Sequence, residues 1–244
     1  MPYPGRNMKT DVNRTAHINM PDIMNNIVII GGGLGGLTAG ALLSKKGHPV
    51  VLLEQHNIVG GAATTFTRKG GFTLEVGLHE MDAVHDNLST KEPFDILGVY
   101  ENIEFVKPDE FFRVTAEGFD FTMPDQREKA LSALKERYPE DASGLDRYFN
   151  LIDSLASDIE KVQQARWWEL VLFPLLFSNL LKYQKLSVRD VLDELLENEE
   201  LKLILNANIG YYHTAPDTFS ILYHSFAQSH YYRSGGWYIR GGSQ

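Results

Sequence analysis

The sequence predicts an α/β chain in which part of a doubly wound nucleotide-binding domain carries an inserted, largely helical α+β segment. Three observations predict this. Ile27 to Ile30 form a continuous β-branched run that leads into Gly31-Gly-Gly-Leu-Gly-Gly36. A second apolar run, Val50 to Leu53, ends on an acid, Glu54. Beyond Asp125, apolar residues recur at helical spacing through most of the remaining chain.

Each element has a physical reason. An unbroken β-branched run suits a parallel strand buried on both faces. Gly31, Gly33 and Gly36 fit G-x-G-x-x-G. The first allows a tight turn, the second lets a pyrophosphate approach the backbone, and the third lets helix and strand pack closely. The helix that follows spans residues 35–46, with Leu37, Ala41 and Leu42 inward, and Gly47 stops it. Its unpaired N–H groups and positive dipole end favour phosphate. Residues 50–53 form the second strand. Glu54 stands at its carboxyl end, 18 residues after Gly36, where a carboxylate can accept both hydroxyls of a ribose. A glycine turn by itself is weak evidence. Here strand, turn, helix, strand and terminal acid arrive in order.

The chain continues through Gly60-Gly61 to two short strands, 65–68 and 72–75, around Lys69-Gly70-Gly71. A short helical piece covers 94–99 and a short strand 104–106. A hairpin is expected from 110–115 and 119–122 around Glu117-Gly118. Helical spacing then covers 126–138, 142–162, 170–183, 188–196, 200–209 and 218–231, with Ser187 and Asp217 placed as N-caps. Two parallel strands are too few for a doubly wound domain. Further strands are expected from chain beyond Gln244 or from a second chain. The expected organisation is a disordered leader at 1–24 and nucleotide-domain chain at 25–100. A substrate or cap domain follows at 101–232, and 233–244 begin a return to the nucleotide domain.

Composition narrows the function classes. The chain has 244 residues, 43% hydrophobic, enough for a substantial core. It carries 23 basic against 32 acidic residues, net −9, which argues against nucleic acid as a partner. It has no cysteine, which excludes disulfides, zinc–thiolate sites and thiol nucleophiles. The first residues are polar and lack the apolar run of a secretory signal, which with the missing cysteines suggests the cytoplasm. The longest apolar stretch, Trp167 to Leu181, is 15 residues and includes Glu169 and Pro174. That is short of the ~20 residues of a spanning helix, so the expectation is at most peripheral contact with a membrane surface.

The run from Gly31 to Glu54 followed by Gly60-Gly61 resembles the Rossmann-like FAD-binding fold shared by flavin amine oxidases and carotenoid desaturases. Gly60-Gly-Ala-Ala-Thr-Thr-Phe66 and Phe72-Thr-Leu-Glu-Val-Gly-Leu-His79 look like the phytoene desaturase, carotenoid isomerase and retinol saturase group. The ending Ser234-Gly-Gly-Trp-Tyr-Ile-Arg-Gly-Gly-Ser-Gln244 is similar to a glycine-rich segment found mid-protein in that group. The resemblance implies that this is the N-terminal half of such an enzyme, a fragment or one part of a split protein. It implies FAD as cofactor. Gly31, Gly33, Leu34, Gly35 and Gly36 would hold the pyrophosphate. Glu54 would bind the adenosine ribose, with Gln55 beside it. Gly60, Gly61 and Ala62 would lie along the pyrophosphate and ribityl chain, and Gly77 to His79 near the isoalloxazine. Amine oxidases usually have arginine after the glycine pair; Ala62 stands there, on the carotenoid side.

The implied activity is that of an FAD-dependent oxidoreductase on an apolar polyene such as a carotenoid or retinoid. The flavin carries the hydride and the protein orients it. His79 is the titratable group of most interest, although a lone histidine is more often structural. No acid–base pair and no metal site is expected: Asp82, His85 and Asp86 read as a solvated turn. Three alternatives remain: a flavin amine oxidase, a non-catalytic half-protein needing a partner chain, and an NAD-dependent dehydrogenase.

Overall fold

The computed structural model describes residues 27–82, 84, 90–213 and 215–244. The expected leader lies outside these residues. The chain divides into two compact units. One runs to Gly77 and includes Gln244; the other is Leu78–Ser243. The sequence-based limit at 100 falls inside the second.

In the first unit, strand β1 (Ile27–Ile30) and strand β2 (Val50–Leu53) pair in parallel, Ile27 beside Val50 and Ile30 beside Leu53. Helix α1 (Leu34–Lys45) crosses between them and packs on both. Gly40 is buried in that contact, where an added Cβ would sit 3.3 Å from Ile29 Cδ1. Strands β3 (Thr65–Arg68) and β4 (Phe72–Glu75) form a hairpin. The expected burial of β1 on both faces is not observed. Ile30 is 86% exposed, and Val28 and Leu53 also face solvent. The physical reason is the strand count, since β1 and β2 have no strand neighbour but each other among the described residues.

The second unit is mostly helical. After the short helices α2 (Lys91–Leu97) and α3 (Val99–Asn102) come β5 (Phe105–Val106) and the hairpin β6 (Glu110–Ala116) with β7 (Phe119–Pro124). Helix α4 (Arg127–Arg137) leads to the long helix α5 (Ala142–Gln164). Phe149, Ile152 and Leu155 of α5 are fully buried. They share one core with Met123, Leu134, Leu192, Leu201 and Ile204. Gly144 marks the closest approach, where a Cβ would meet the Leu195 carbonyl at 2.1 Å.

Three short helices follow where one was expected at 170–183: α6 (Trp167–Val171), α7 (Phe173–Leu176) and α8 (Ser178–Tyr183). Pro174 lacks an N–H and its ring clashes with the preceding turn, so the helix cannot run through it. Helices α9 (Val188–Leu195) and α10 (Glu199–Asn206) lie against α5 and a 3₁₀ turn, respectively. Ser187 caps α9 as expected, in a reciprocal capping box with Asp190. Helix α11 (Ile221–Ser234) begins later than expected, and Ser220 caps it rather than Asp217. The Val188 N–H donates to the Phe219 carbonyl and Ser187 bridges Ser220, which holds the chain extended there. Strand β8 (Tyr238–Ile239) pairs antiparallel with β5. It lies in the segment expected to lead back to the nucleotide domain, of which Gln244 alone clusters with the first unit.

Candidate dinucleotide site

The site is built at the carboxyl ends of β1 and β2. The Gly31 N–H donates to the Leu53 carbonyl at 2.7 Å, extending the ladder by one bond. Gly31 then turns with φ +104°, a conformation that side chains rarely adopt. Gly33 is the N-cap of α1 and offers no side chain, so the first N–H groups of the helix stay open. No acid in the first turn competes for them. At Gly36 a Cβ would lie 2.0 Å from the Gly31 carbonyl oxygen, so the turn closes only around glycine.

The second glycine pair lies directly on this turn. Gly60 donates its N–H to the Gly32 carbonyl at 2.7 Å, and Gly33 and Gly60 form a parallel bridge. A Cβ on Gly61 would sit 3.1 Å from Gly33 Cα. Both Gly60 and Gly61 have positive φ. Thr64 holds the loop by donating its hydroxyl to the Gly61 carbonyl, and Gly77 rests against Ala62. Two segments distant in sequence thus become one backbone-lined surface.

Glu54 completes the site. Its Oε2 accepts the Gly32 N–H at 2.6 Å and its Oε1 accepts the His56 N–H at 2.8 Å. These backbone donors, His56 first and then Gly32, hold its pKa below the usual carboxylate range. Each oxygen keeps a second lone pair for a hydroxyl donor. Gln55 beside it is exposed.

Of the sequence-derived residues, Gly31, Gly33, Gly36, Glu54, Gly60, Gly61 and Ala62 come together through these contacts. Leu34 and Gly35 open the helix, and an added Cβ on Gly35 would meet nothing within 4 Å. His79 belongs to the second unit, where its exposed ring lies 5.6 Å from that of Tyr211. Sequence reading missed Gly32, whose N–H orients Glu54. It also missed a polar group in the second unit. His230 Nε2 lies 2.9 Å from Glu160 Oε1, and its Nδ1 lies 3.7 Å from Asp82 Oδ2. Arg233 also pairs with Glu160. Asp82 thus has a partner in His230 while its carboxylate stays partly exposed; His85 and Asp86 lie outside the described residues. The Asp82 and Glu160 carboxylates raise the His230 pKa against the opposing effect of burial. Residues so far apart in sequence gave no local signal.

The cradle fits a dinucleotide on its own geometry, with a Cβ-free crossing, open helix N–H groups and an acid at the second strand end. Comparison with known proteins agrees. Residues 29–97 match the NAD(P)-binding Rossmann-like domain family. All-trans-retinol 13,14-reductase of Homo sapiens is 28% identical over 89% of this chain and 37% of its own length. The 4,4'-diaponeurosporene oxygenase of Staphylococcus haemolyticus is 26% identical over 88% of this chain and 44% of its own. The chain therefore spans less than half the length of these relatives. Among solved structures, a putrescine oxidase bound to putrescine aligns with TM-score 0.57 over 89% of this chain and 46% of its own, at 18% identity, a likeness of fold alone. The chain carries a Rossmann-like nucleotide-binding domain and is related in sequence to the retinol reductases and carotenoid oxygenases.

Proposed function

We propose that this chain binds FAD and forms part of an oxidoreductase acting on an apolar polyene of the carotenoid or retinoid type. The observation that carries the reading is the apposition of Gly60-Gly61 on the Gly31–Gly36 turn beside Glu54. A second glycine pair laid along the first extends the surface beyond what an ADP moiety alone requires, which favours FAD over NAD. The relatives named for retinol and diaponeurosporene support the substrate class. When bound, the flavin supplies hydride exchange with a carbon–carbon bond. The chain's own residues bind and orient: Gly31, Gly33, Leu34, Gly35 and Gly36 at the pyrophosphate, Glu54 at the adenosine ribose with Gln55 adjoining, and Gly60, Gly61 and Ala62 along the linker. The reading places the chain in the cytoplasm, in peripheral contact with a membrane where an apolar substrate resides.

The open faces of β1 and β2 favour one addition. The isolated strand pair exposes Ile30, Val28 and Leu53, and further strands from the same or another chain would cover them. On this reading the polyene activity needs that additional chain.

The test is direct. The purified chain is desalted, and its visible spectrum is recorded with and without added FAD or NAD. A stoichiometric flavin band near roughly 450 nm is expected. Tight binding of NAD with no affinity for FAD would overturn the cofactor assignment.

A further inference from the structure

The segment 167–181 presents two unlike sides. Phe177 and Leu180 are buried in the core of the second unit and Phe173 packs against it. This anchoring fixes which side chains face out. Trp167 is 77% exposed, Val171 71% and Leu175 79%, at intervals of four residues. Trp168, Leu172 and Leu176 flank them, also exposed. With Phe177 and Leu180 in the core and Phe173 packed against it, the outward side chains are left facing solvent. Soluble monomers rarely leave so continuous an apolar strip in water.

Charge and residue type point to one occupant. From Val162 to Val188 the chain carries Arg166, Lys182 and Lys185 against a single acid, Glu169, although its net charge is −9. Glu169 turns its carboxylate to the Arg166 backbone N–H at 2.7 Å. Glu194 of α9 lies near Lys182, yet the cations that adjoin this apolar strip in sequence outnumber its acids and two tryptophans lead it, a combination that matches a lipid surface with anionic headgroups. A second copy docked here would set the same basic fringes against each other. No helix among the described residues is long and apolar enough to cross a membrane, so the contact is one of lying on the surface.

We propose that the face carrying Trp167, Val171 and Leu175 docks on an anionic membrane surface, with Arg166, Lys182 and Lys185 set among the headgroup phosphates. The proposal gives residues to the membrane contact of the proposed function, on which it rests, and does not depend on flavin binding.

The 244-residue chain is sedimented with vesicles of phosphatidylcholine alone and of phosphatidylcholine with about one-third phosphatidylserine. Binding to the anionic vesicles is expected. The triple variant Trp167→Ser, Val171→Ser, Leu175→Ser is expected to partition about tenfold less or worse. Lys182→Gln with Lys185→Gln is expected to erase the preference for phosphatidylserine. Leu203→Ser, exposed elsewhere, is the control and is expected to bind as the parent does. Circular dichroism confirms that each variant keeps its helices. Failure of the parent chain to bind vesicles, or unchanged binding by the triple variant, overturns the proposal. So does a parent dimer that the triple variant converts to monomer without any vesicle binding. Flavin absorbance is recorded on the same preparations. Lost vesicle binding with flavin retained defeats the docking face alone, and the reverse result defeats the cofactor reading alone.

Discussion

Glu54 reaches back from the end of β2 to accept the backbone N–H of Gly32 at 2.6 Å, so the acid proposed to bind the ribose also fixes the turn proposed to cradle the phosphates. The carboxylate is ionised and oriented before any ligand arrives, because two backbone donors hold it. Removing it therefore has two effects. Glu54→Ala is expected to weaken FAD binding about 10- to 100-fold, the range for hydrogen bonds to a charged group. Glu54→Gln keeps one acceptor oxygen and should lose less. Fluorescence titration of the flavin-free chain measures both, and equal affinity of Glu54→Ala and parent would refute the assigned role.

Gly35 and Gly36 are neighbours with opposite constraints. An alanine at 36 would drive its Cβ onto the Gly31 carbonyl, whereas at 35 it would meet open space. Gly36→Ala is expected to cost about 2 kcal/mol or more of first-unit stability, as overpacking against backbone does. Gly35→Ala is expected to be neutral or stabilising by up to about 1 kcal/mol, since alanine is the better helix former. It should nevertheless weaken cofactor binding by narrowing the approach to the helix start. Thermal melts with and without FAD separate the two effects.

His224 is fully buried, with its Nε2 2.8 Å from the Tyr148 hydroxyl and its Nδ1 unpartnered. Burial pushes its pKa down to about 3. A base whose folded pKa lies below its unfolded value stabilises the fold fully above about pH 6.5 and loses that contribution as pH falls toward 3. His224→Phe removes this proton linkage. Stability at pH 7 should drop by about 1–3 kcal/mol because Tyr148 loses its partner. Between pH 6 and 4 the slope of stability against pH should flatten by up to about 1.4 kcal/mol per unit. Urea midpoints across that range are the measurement, and an unchanged slope would be the contrary result.

His230 has the opposite sign. Its pKa is raised, chiefly by Asp82, so its contribution is present below its unfolded pKa and disappears as pH rises through the folded value. Asp82→Asn is expected to lower the His230 pKa seen by NMR. It should destabilise the second unit at pH 6 and leave stability at pH 9 nearly unchanged. Equal losses at both pH values would show that the Asp82 side chain matters for packing and not for charge.

What the sequence made legible was local. The β1–α1–β2 unit, the hairpin at 65–75 and the Ser187 cap follow from periodicity, glycine positions and one capping box within a few residues. The pairing of β5 with β8 was not legible, because two-residue strands leave no pattern. The buried Asp141, which accepts the N–H groups of Glu197 and Asn198, and the Asp82–His230 contact join segments far apart in sequence. Composition carries no trace of such pairs. The misread burial of Ile30 has another cause: a β-branched run reports what a strand is suited to, not which neighbours it has.

The glycines at 36, 60 and 61 carry a genetic consequence. Every missense change of a glycine codon installs a Cβ, and at these positions that atom would meet the Gly31 carbonyl, the Ala63 carbonyl and the Gly33 Cα, respectively. No single-nucleotide path leads away from glycine at any of them without moving the backbone. These three codons are therefore expected to tolerate synonymous change only, and a saturation library should show every residue other than glycine depleted at them.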